Sequence, residues 1–402
     1  MSVDKSQKLK LLRIKHNKSQ REVAKSIGVS AMTICKLESG SYTFTQNHIK
    51  ILANFFNIEE SFFDDSFTYS FEPQLTLRDK KNLNDDEIQK IKSYLLGNGS
   101  NNRYQSILEK IYTYSQFDPT LLSVDKIFCN KELLQPLINQ LIHTDQLTTS
   151  IIDSIFLKIY RILSTSPKEH ASFLDFIESL GILVFFENIN ELFSISQFSG
   201  GVLTFEDPLT KHNRYIFIVE SQAGMDRQNY TLAYLFLKIL SFADIEWNKI
   251  HAISSYILVH PNSYIDFFGS SRETISLFEF SEFKEKYHIS MISVIKTLIQ
   301  ESIIDATQEK EFYDIVSPDY NKKKESGDIK NPYTEYFKIP SYRNTKLFMK
   351  FIKLYLSLNE LPISKEQFSH DLEYILTYYR TFDSQRVDKL DALLTSTPQK
   401  ID

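Results

Sequence analysis

The chain has 402 residues, 42% of them hydrophobic, and a formal charge of −5. That length exceeds one typical domain, and no run approaches the roughly 18 uncharged apolar residues of a membrane span. The lysine-containing start lacks the apolar stretch of a secretion signal, and two cysteines, Cys35 and Cys129, make no disulfide framework. The expected setting is therefore the cytoplasm, with no membrane partner.

The first informative stretch is Ser19 to Gly40, SQREVAKSIGVSAMTICKLESG. Ser19 and Glu22 have the spacing of a capping box. Val23, Ala24 and Ile27 recur at helical spacing, so one face of a short helix is apolar. Gly28 supplies the residue that tolerates positive φ and turns the chain. Ser30 then caps a second helix, Ala31 to Ser39, which Gly40 stops. Ile34 and Leu37 are expected to face inward. Ala31, Met32, Thr33 and Lys36 are left facing out near the N-terminal end, where a recognition helix reads base edges. Thr33 offers a hydroxyl, Ala31 and Met32 offer methyl contacts, and Lys36 reaches a phosphate or a guanine. Ser30 lies at the same end, and Gln20 and Arg21 open the preceding helix, placed for the DNA backbone. The bland alternative is a small helical bundle that binds no nucleic acid.

These residues resemble the Xre/Cro-type helix-turn-helix family over about Lys8 to Phe63. The resemblance implies an ion pair between Arg13 and Glu38. It also implies two further helices, Thr45 to Phe55 and Ile58 to Phe63, and double-stranded operator DNA read by a homodimer. Charge is distributed accordingly: residues 1–63 carry +5 and the remainder −10. A basic head on an acidic body fits DNA contact confined to the head.

Asp64 to Asp86 is polar and irregular, and reads as a linker with one short strand. Asp85 or Asp86 is expected to cap a helix to Leu96, ended by the Gly97 to Ser100 cluster. Residues 101–163 read as mostly helical, with apolar spacing over Leu121 to Leu141 and Thr148 to Leu163. No fixed repeat period is present. Ala171 to Leu180 then reads as a helix ending at Gly181. Strands are expected at Ile182 to Phe186, Gly200 to Phe205 and Tyr215 to Val219, with Asp207-Pro208 and Lys211 to Arg214 as turn material. Helices Arg227 to Phe242 and Trp247 to Leu258 follow, the second stopping before Pro261.

This segment resembles the ImmA/IrrE metallopeptidase-like family over about Ala171 to Ile304. The stretches that carry it are FIESLGILVFF (Phe176 to Phe186), RYIFIVES (Arg214 to Ser221) and RQNYTLAYLFLKIL (Arg227 to Leu240). In that family the last stretch holds the zinc motif H-E-x-x-H. Here Thr231-Leu232-Ala233 is kept, but the motif positions read Tyr234, Leu235, Phe236, Leu237 and Lys238. Two imidazoles one helical turn apart and a carboxylate base are what the chemistry requires. A protonated Lys repels a dication, a neutral Tyr is a poor zinc ligand, and Leu235 accepts no proton. The implied third ligand falls near Ile250, which is no ligand either. His212, His251 and His260 lie nearby in sequence, but no pair has helical i, i+4 spacing. No metal, cofactor or peptidase activity is expected. Serine-hydrolase and phosphate-loop signatures are absent too.

Leu277 to Ile304 looks like the helix-turn-helix-like unit that follows the core in this family, with Ser290 as a cap. Its outward face has few basic residues, so helix packing is expected there rather than DNA contact. Asn321 to Asp328 reads as an exposed loop, Asn344 to Leu358 and Lys365 to Tyr379 as a closing helical pair, and the last dozen residues as frayed.

The expected fold is mostly α with an α+β central domain. Residues 1–66 form a five-helix Xre-type helix-turn-helix and 67–165 a linker and helical connector. Residues 166–305 form an ImmA/IrrE-like, zincin-like domain lacking its zinc site, and 306–402 a helical extension. The two resemblances together imply a transcriptional regulator, a repressor of prophage or mobile-element type. Its inactive peptidase-like domain would dimerise or sense a small-molecule, peptide or protein effector. Two alternatives stay open: an active metallopeptidase with replaced ligands, and a peptide-responsive regulator with a helical-repeat body.

Overall fold

The computed structural model describes residues 4–316, apart from 65–66, 68, 70, 79, 98–102, 116–117, 119–120, 123–124, 145–147, 196 and 242–246. The expected loop Asn321–Asp328, the closing pair Asn344–Leu358 and Lys365–Tyr379, and the final dozen residues lie outside the described residues.

The head holds α1 (Lys5–Lys15), α2 (Gln20–Ile27), α3 (Ala31–Glu38) and α4 (Gln46–Phe56). Ser19 and Glu22 cap each other at the start of α2, and Gly28 ends it in the left-handed region at φ +70. Ser30 caps α3 and Thr45 caps α4. The expected fifth helix, Ile58 to Phe63, is a single 3-10 turn, Glu60–Phe63, which serves to bury Phe62 and Phe63. Leu9, Leu12, Val23, Ile34, Leu37 and Leu52 close the core between these helices.

The next stretch, read as a polar linker, is largely packed. Phe67, Tyr69 and Phe71 stand two residues apart, the spacing that puts side chains on one side of an extended chain. Phe67 meets Phe62 at 5.1 Å and Tyr69 at 5.2 Å. Tyr69 meets Tyr112 at 5.2 Å and Phe71 meets Phe205 at 5.5 Å. The expected short strand is β1 (Gln74–Leu77). Next comes α5 (Asp85–Leu96), capped by Asn84 rather than by an aspartate. Asn84 accepts from the Glu87 amide and Glu87 accepts from the Asn84 amide, both at 2.9 Å. Asp85 and Asp86 are thereby left in the first turn, where negative charge suits the helix dipole.

Helices α6 (Arg103–Ser115), α7 (Lys126–Cys129), α8 (Lys131–His143) and α9 (Thr149–Leu163) follow. The expected run Leu121 to Leu141 is broken at Asn130. Its side chain donates to the Lys126 carbonyl at 2.7 Å, and its own carbonyl accepts from Leu133 and Leu134. One helix is closed and the next begun by the same residue.

After α10 (Phe173–Ser179), β2 (Leu183–Glu187) leads through an unforeseen short helix, α11 (Ile189–Phe193), to β3 (Gly200–Glu206) and β4 (Asn213–Glu220). β4 begins inside the expected turn because Arg214 is neutralised indoors. It pairs with Asp207 at 3.4 Å and donates to the Gly181 carbonyl at 2.9 Å. The sheet order is β1-β3-β4-β2, with β2 parallel to β4 and the other pairs antiparallel. A sheet of this kind in the body sets it apart from an all-helical repeat array.

Leu183, Phe185, Leu203, Phe205, Ile216 and Ile218 face one core, which is continuous with that of the head. Val184, Phe186, Val202, Phe217 and Val219 face a second core. That second core is filled by α12 (Met225–Ser241) and α13 (Trp247–Leu258) together with α8, α9 and α10. Burial on both faces explains the continuous apolar runs LVFF and IFIV in β2 and β4. A third core joins α14 (Pro261–Phe268), α15 (Leu277–Tyr287), α16 (Met291–Gln300) and α17 (Glu309–Val316). Pro261 opens α14, a position where its missing N–H costs nothing. Among the described residues no helix is long and apolar enough to cross a membrane.

At the ends of the parallel strands, Glu187 and Glu220 stand in register, both buried. Glu187 accepts from the hydroxyls of Tyr94 and Tyr104, tying α5 and α6 to the sheet. Glu220 accepts from the Asn190 and Gln222 amides, while burial pushes its carboxyl up.

One polar contact ties the head to the β3–β4 turn. His16 Nε2 lies 2.8 Å from the Leu209 carbonyl, and its ring rests 4.9 Å from that of Phe56. Asp207 fixes this turn by accepting from the Leu209 and Thr210 amides. Burial holds the His16 imidazole below its usual 6.5, against the Leu209 bond and the Asp207 charge that raise it. Below that value the unfolded chain takes up a proton that the folded chain resists, so stability falls on acidification. His16→Gln, which keeps an N–H for Leu209, is expected to flatten the loss of denaturant midpoint between about pH 7.5 and about pH 5.5. An unchanged slope would show that His16 contributes no pH dependence.

Candidate nucleic-acid interface

The two helices of the motif are held at their angle by a charged cluster under α3. Arg13 of α1 meets Glu38 at the end of α3 with Nε–Oε1 2.5 Å and a second bond of 3.0 Å, and also donates to the Lys18 carbonyl at 3.3 Å. The side chains are only 17% and 6% exposed, so the fork is nearly dry. Gln20 joins it, donating to Glu38 at 2.8 Å. Sequence reading placed Gln20 on the DNA backbone; in the structure one of its two amide N–H groups is engaged with Glu38.

The other sequence-selected side chains lie on α3 and at its cap, apart from Arg21 at the start of α2. Met32 is 64% exposed, a large apolar group with no core to fill. Arg21, Ser30 and Lys36 are exposed, whereas Thr33 and Ala31 are half-buried. Ala31 leans on the head core. Ser30 spends its hydroxyl on capping, accepting from the Thr33 amide at 3.1 Å, and lies 2.9 Å from the Thr33 hydroxyl. Of the residues selected in the sequence, Arg21, Ser30, Met32 and Lys36 are exposed and Gln20, Ala31 and Thr33 half-buried. Tyr42, not selected in the sequence, is 48% exposed, and its amide donates to the Lys36 carbonyl at 3.1 Å, which brings it beside the end of α3.

The head's charge is less outward than its composition implies. Lys8 and Lys15 are buried. Lys8 donates to the Asp64 carbonyl at 2.6 Å and lies over the rings of Phe62 and Phe67. With Arg13 bound to Glu38, the cations open to a polyanion include Arg21, Lys25, Lys36 and Lys50.

The α15–α16 pair repeats the local grammar of α2–α3. Ser276 and Glu279 form a capping box, His288 turns the chain in the left-handed region, and Ser290 caps α16 by accepting from the Ser293 amide at 3.1 Å. The two units part in exposure. Ile292 occupies the position equivalent to Met32 and is 5% exposed, and Met291, Val294 and Ile295 are buried as well. The second helix of this unit is a core element, as its few outward basic residues suggested.

In the central domain Tyr234 is 8% exposed and Leu235 1%, both on α12, and Ile250 on α13 is 1% exposed. Lys238 is half-buried on the same helix. A phenol, an ammonium and two aliphatic groups do not fit zinc. His260 is engaged elsewhere, 2.9 Å from Asp153, which also accepts from Tyr256. His212 lies beside the Asp207 turn, and the side chain of His251 is outside the description. Among the described residues no group of three or more His, Cys, Asp or Glu could hold a metal ion.

A capped helical pair joined by a left-handed glycine, packed on flanking helices, with α3 presenting its N-terminal half, defines an Xre-type helix-turn-helix, the fold of DNA-binding regulators. The helix-turn-helix family model matches residues 9–63. No curated protein and no solved structure matches the chain.

Removing Glu38 strands a nearly dry guanidinium and the Gln20 amide together. Glu38→Ala is expected to cost about 3 kcal/mol in urea unfolding, whereas Arg13→Met with Glu38→Leu should recover most of that loss. A single-variant cost no larger than that of an exposed pair, about 0–1 kcal/mol, would show the cluster to be dispensable.

Proposed function

We propose that the protein is a sequence-specific transcriptional regulator, of repressor type, whose head binds operator DNA as a homodimer. The observation that carries this reading is the exposed N-terminal half of α3, where Met32 projects and Thr33 and Lys36 flank it on a capped, rigidly braced helix. One head spans a half-site, so a two-fold dimer matches a palindrome. In this reading Thr33 and Met32 contact base edges, while Lys36 and Arg21 neutralise phosphates. Thr33→Ala with Lys36→Ala is expected to weaken binding to selected operator DNA about tenfold or more and to lower the salt dependence by about one counterion. Full affinity in a gel shift, with the thermal transition retained, would remove the head from the reading.

The central domain is, in the same reading, an ImmA/IrrE-like pseudopeptidase that dimerises or senses an effector and performs no hydrolysis. A four-stranded sheet backed by a largely buried α12, which carries Tyr234, Leu235 and Lys238 where the resemblance puts the zinc motif, supports it. Body and head share a core, so a signal received in the body has a mechanical path to head spacing. Purified protein is expected to carry no stoichiometric zinc by elemental analysis. About one zinc per chain, lost together with activity in a protease assay on Tyr234→Phe, would favour an enzyme instead.

A further inference from the structure

Immediately after β1, Arg78 leaves the sheet edge and crosses to α12. Its amide donates to the Gly200 carbonyl at 3.0 Å, extending the ladder between β1 and β3 by one bond. Its guanidinium NH1 donates to the Thr231 hydroxyl at 2.5 Å. The guanidinium carbon lies 5.2 Å from the ring centres of both Tyr230 and Tyr234. Those two rings are 9% and 8% exposed, so the cation meets two nearly dry aromatic surfaces and a hydroxyl acceptor on one helix. Thr231 is held for this task, since its hydroxyl bonds back to the Arg227 carbonyl at 2.9 Å.

Gly200 makes the approach possible. A Cβ there would come within 2.7 Å of both the Ile218 carbonyl and the Thr231 methyl. The backbone of β3 therefore lies directly against α12 at Thr231, and a side chain starting from the β1 end can reach that helix.

The group that fits this place is planar and cationic. A guanidinium stacks on aromatic faces and donates in a fixed fork, whereas an ammonium is a more strongly hydrated point charge. We propose that Tyr230, Thr231 and Tyr234 form a guanidinium seat on α12, filled by the chain's own Arg78, and that this seat fixes the strand leading out of the DNA-binding head. The link to the head is short. β1 follows the Phe67, Tyr69 and Phe71 rings, which run back to Phe62 in the head. Arg78 is thus a positioning residue acting through β1, and Tyr234 has a use unrelated to metal binding.

Chemical rescue in the full chain tests this. Arg78→Ala is expected to lower Tm by about 2–4 °C. It should also speed hydrogen exchange at the amides of Gln74–Leu77. Millimolar ethylguanidinium should recover much of both effects in the variant and leave the parent protein unchanged. Ethylammonium should recover neither, and Arg78→Lys should keep part of the deficit. Equal recovery by the two cations, or no change of Tm and exchange in Arg78→Ala, would overturn the proposal. If Arg78→Ala does not fold, Tyr234→Phe and Tyr234→Leu decide. Phe keeps the aromatic face and should preserve Tm, Leu should lower it, and equal effects would overturn the seat. None of these readouts uses DNA or metal, so the seat stands or falls separately from the function proposed above.

Discussion

The central sheet is buried on both faces, and the placement of everything else follows from that. Three of its four strands have no side exposed to water along most of their length. Such a sheet is stable only if each face is covered by apolar surface. Tyr104 and Tyr112 of α6 meet one face, and α12 with its helical neighbours covers the other. The head joins the first of these cores through Phe62, Phe67, Tyr69 and Phe71 and through the contact of His16 with Leu209.

This arrangement changes what the intervening segments mean. The stretch after the head is polar in composition, yet Tyr69 and Phe71 are core residues and join the head to Tyr112 and Phe205. Polar contacts then fix the angle at which the layers meet. His16 reaches the turn that Asp207 and Arg214 hold from inside, and Arg78 ties the far end of β1 to α12. Each joins residues far apart in sequence, 193 and 153 positions respectively, so each exists only where the tertiary fold brings them together.

The head illustrates how charge is divided between fold and function. Ten basic residues lie within the first 63. Arg13 is consumed by Glu38, and Lys8 and Lys15 are buried. What is left for a polyanion is a smaller outward set that includes Lys10, Arg21, Lys25, Lys36 and Lys50. The α15–α16 unit shows the reverse outcome. The same caps and the same left-handed turn produce a helix pair whose second member is enclosed. Local grammar makes the shape, and exposure decides whether the shape can meet DNA.

Much of the architecture was legible along the chain. Caps and turns act over three or four residues, so Ser19 with Glu22, Gly28 and Ser30 located α2 and α3 closely, and the continuous apolar runs marked β2 and β4. The Arg13–Glu38 pair was legible through family resemblance, not through spacing. Tyr234 drew attention in the sequence only through the resemblance to a zinc motif, and Tyr230 drew none. Sequence by itself determined the helix-turn-helix, strands β2 to β4 and most of the longer helices, because those depend on neighbours in the chain; α11, α14 and the break at Asn130 were not legible in it. Tertiary structure alone decided that Lys8 is buried, that Gln20 turns to Glu38, that α16 is enclosed, and that Arg78 rests on Tyr230 and Tyr234. The physical reason is that burial and ion pairing are set by whatever surface arrives from elsewhere, and no local pattern carries that information.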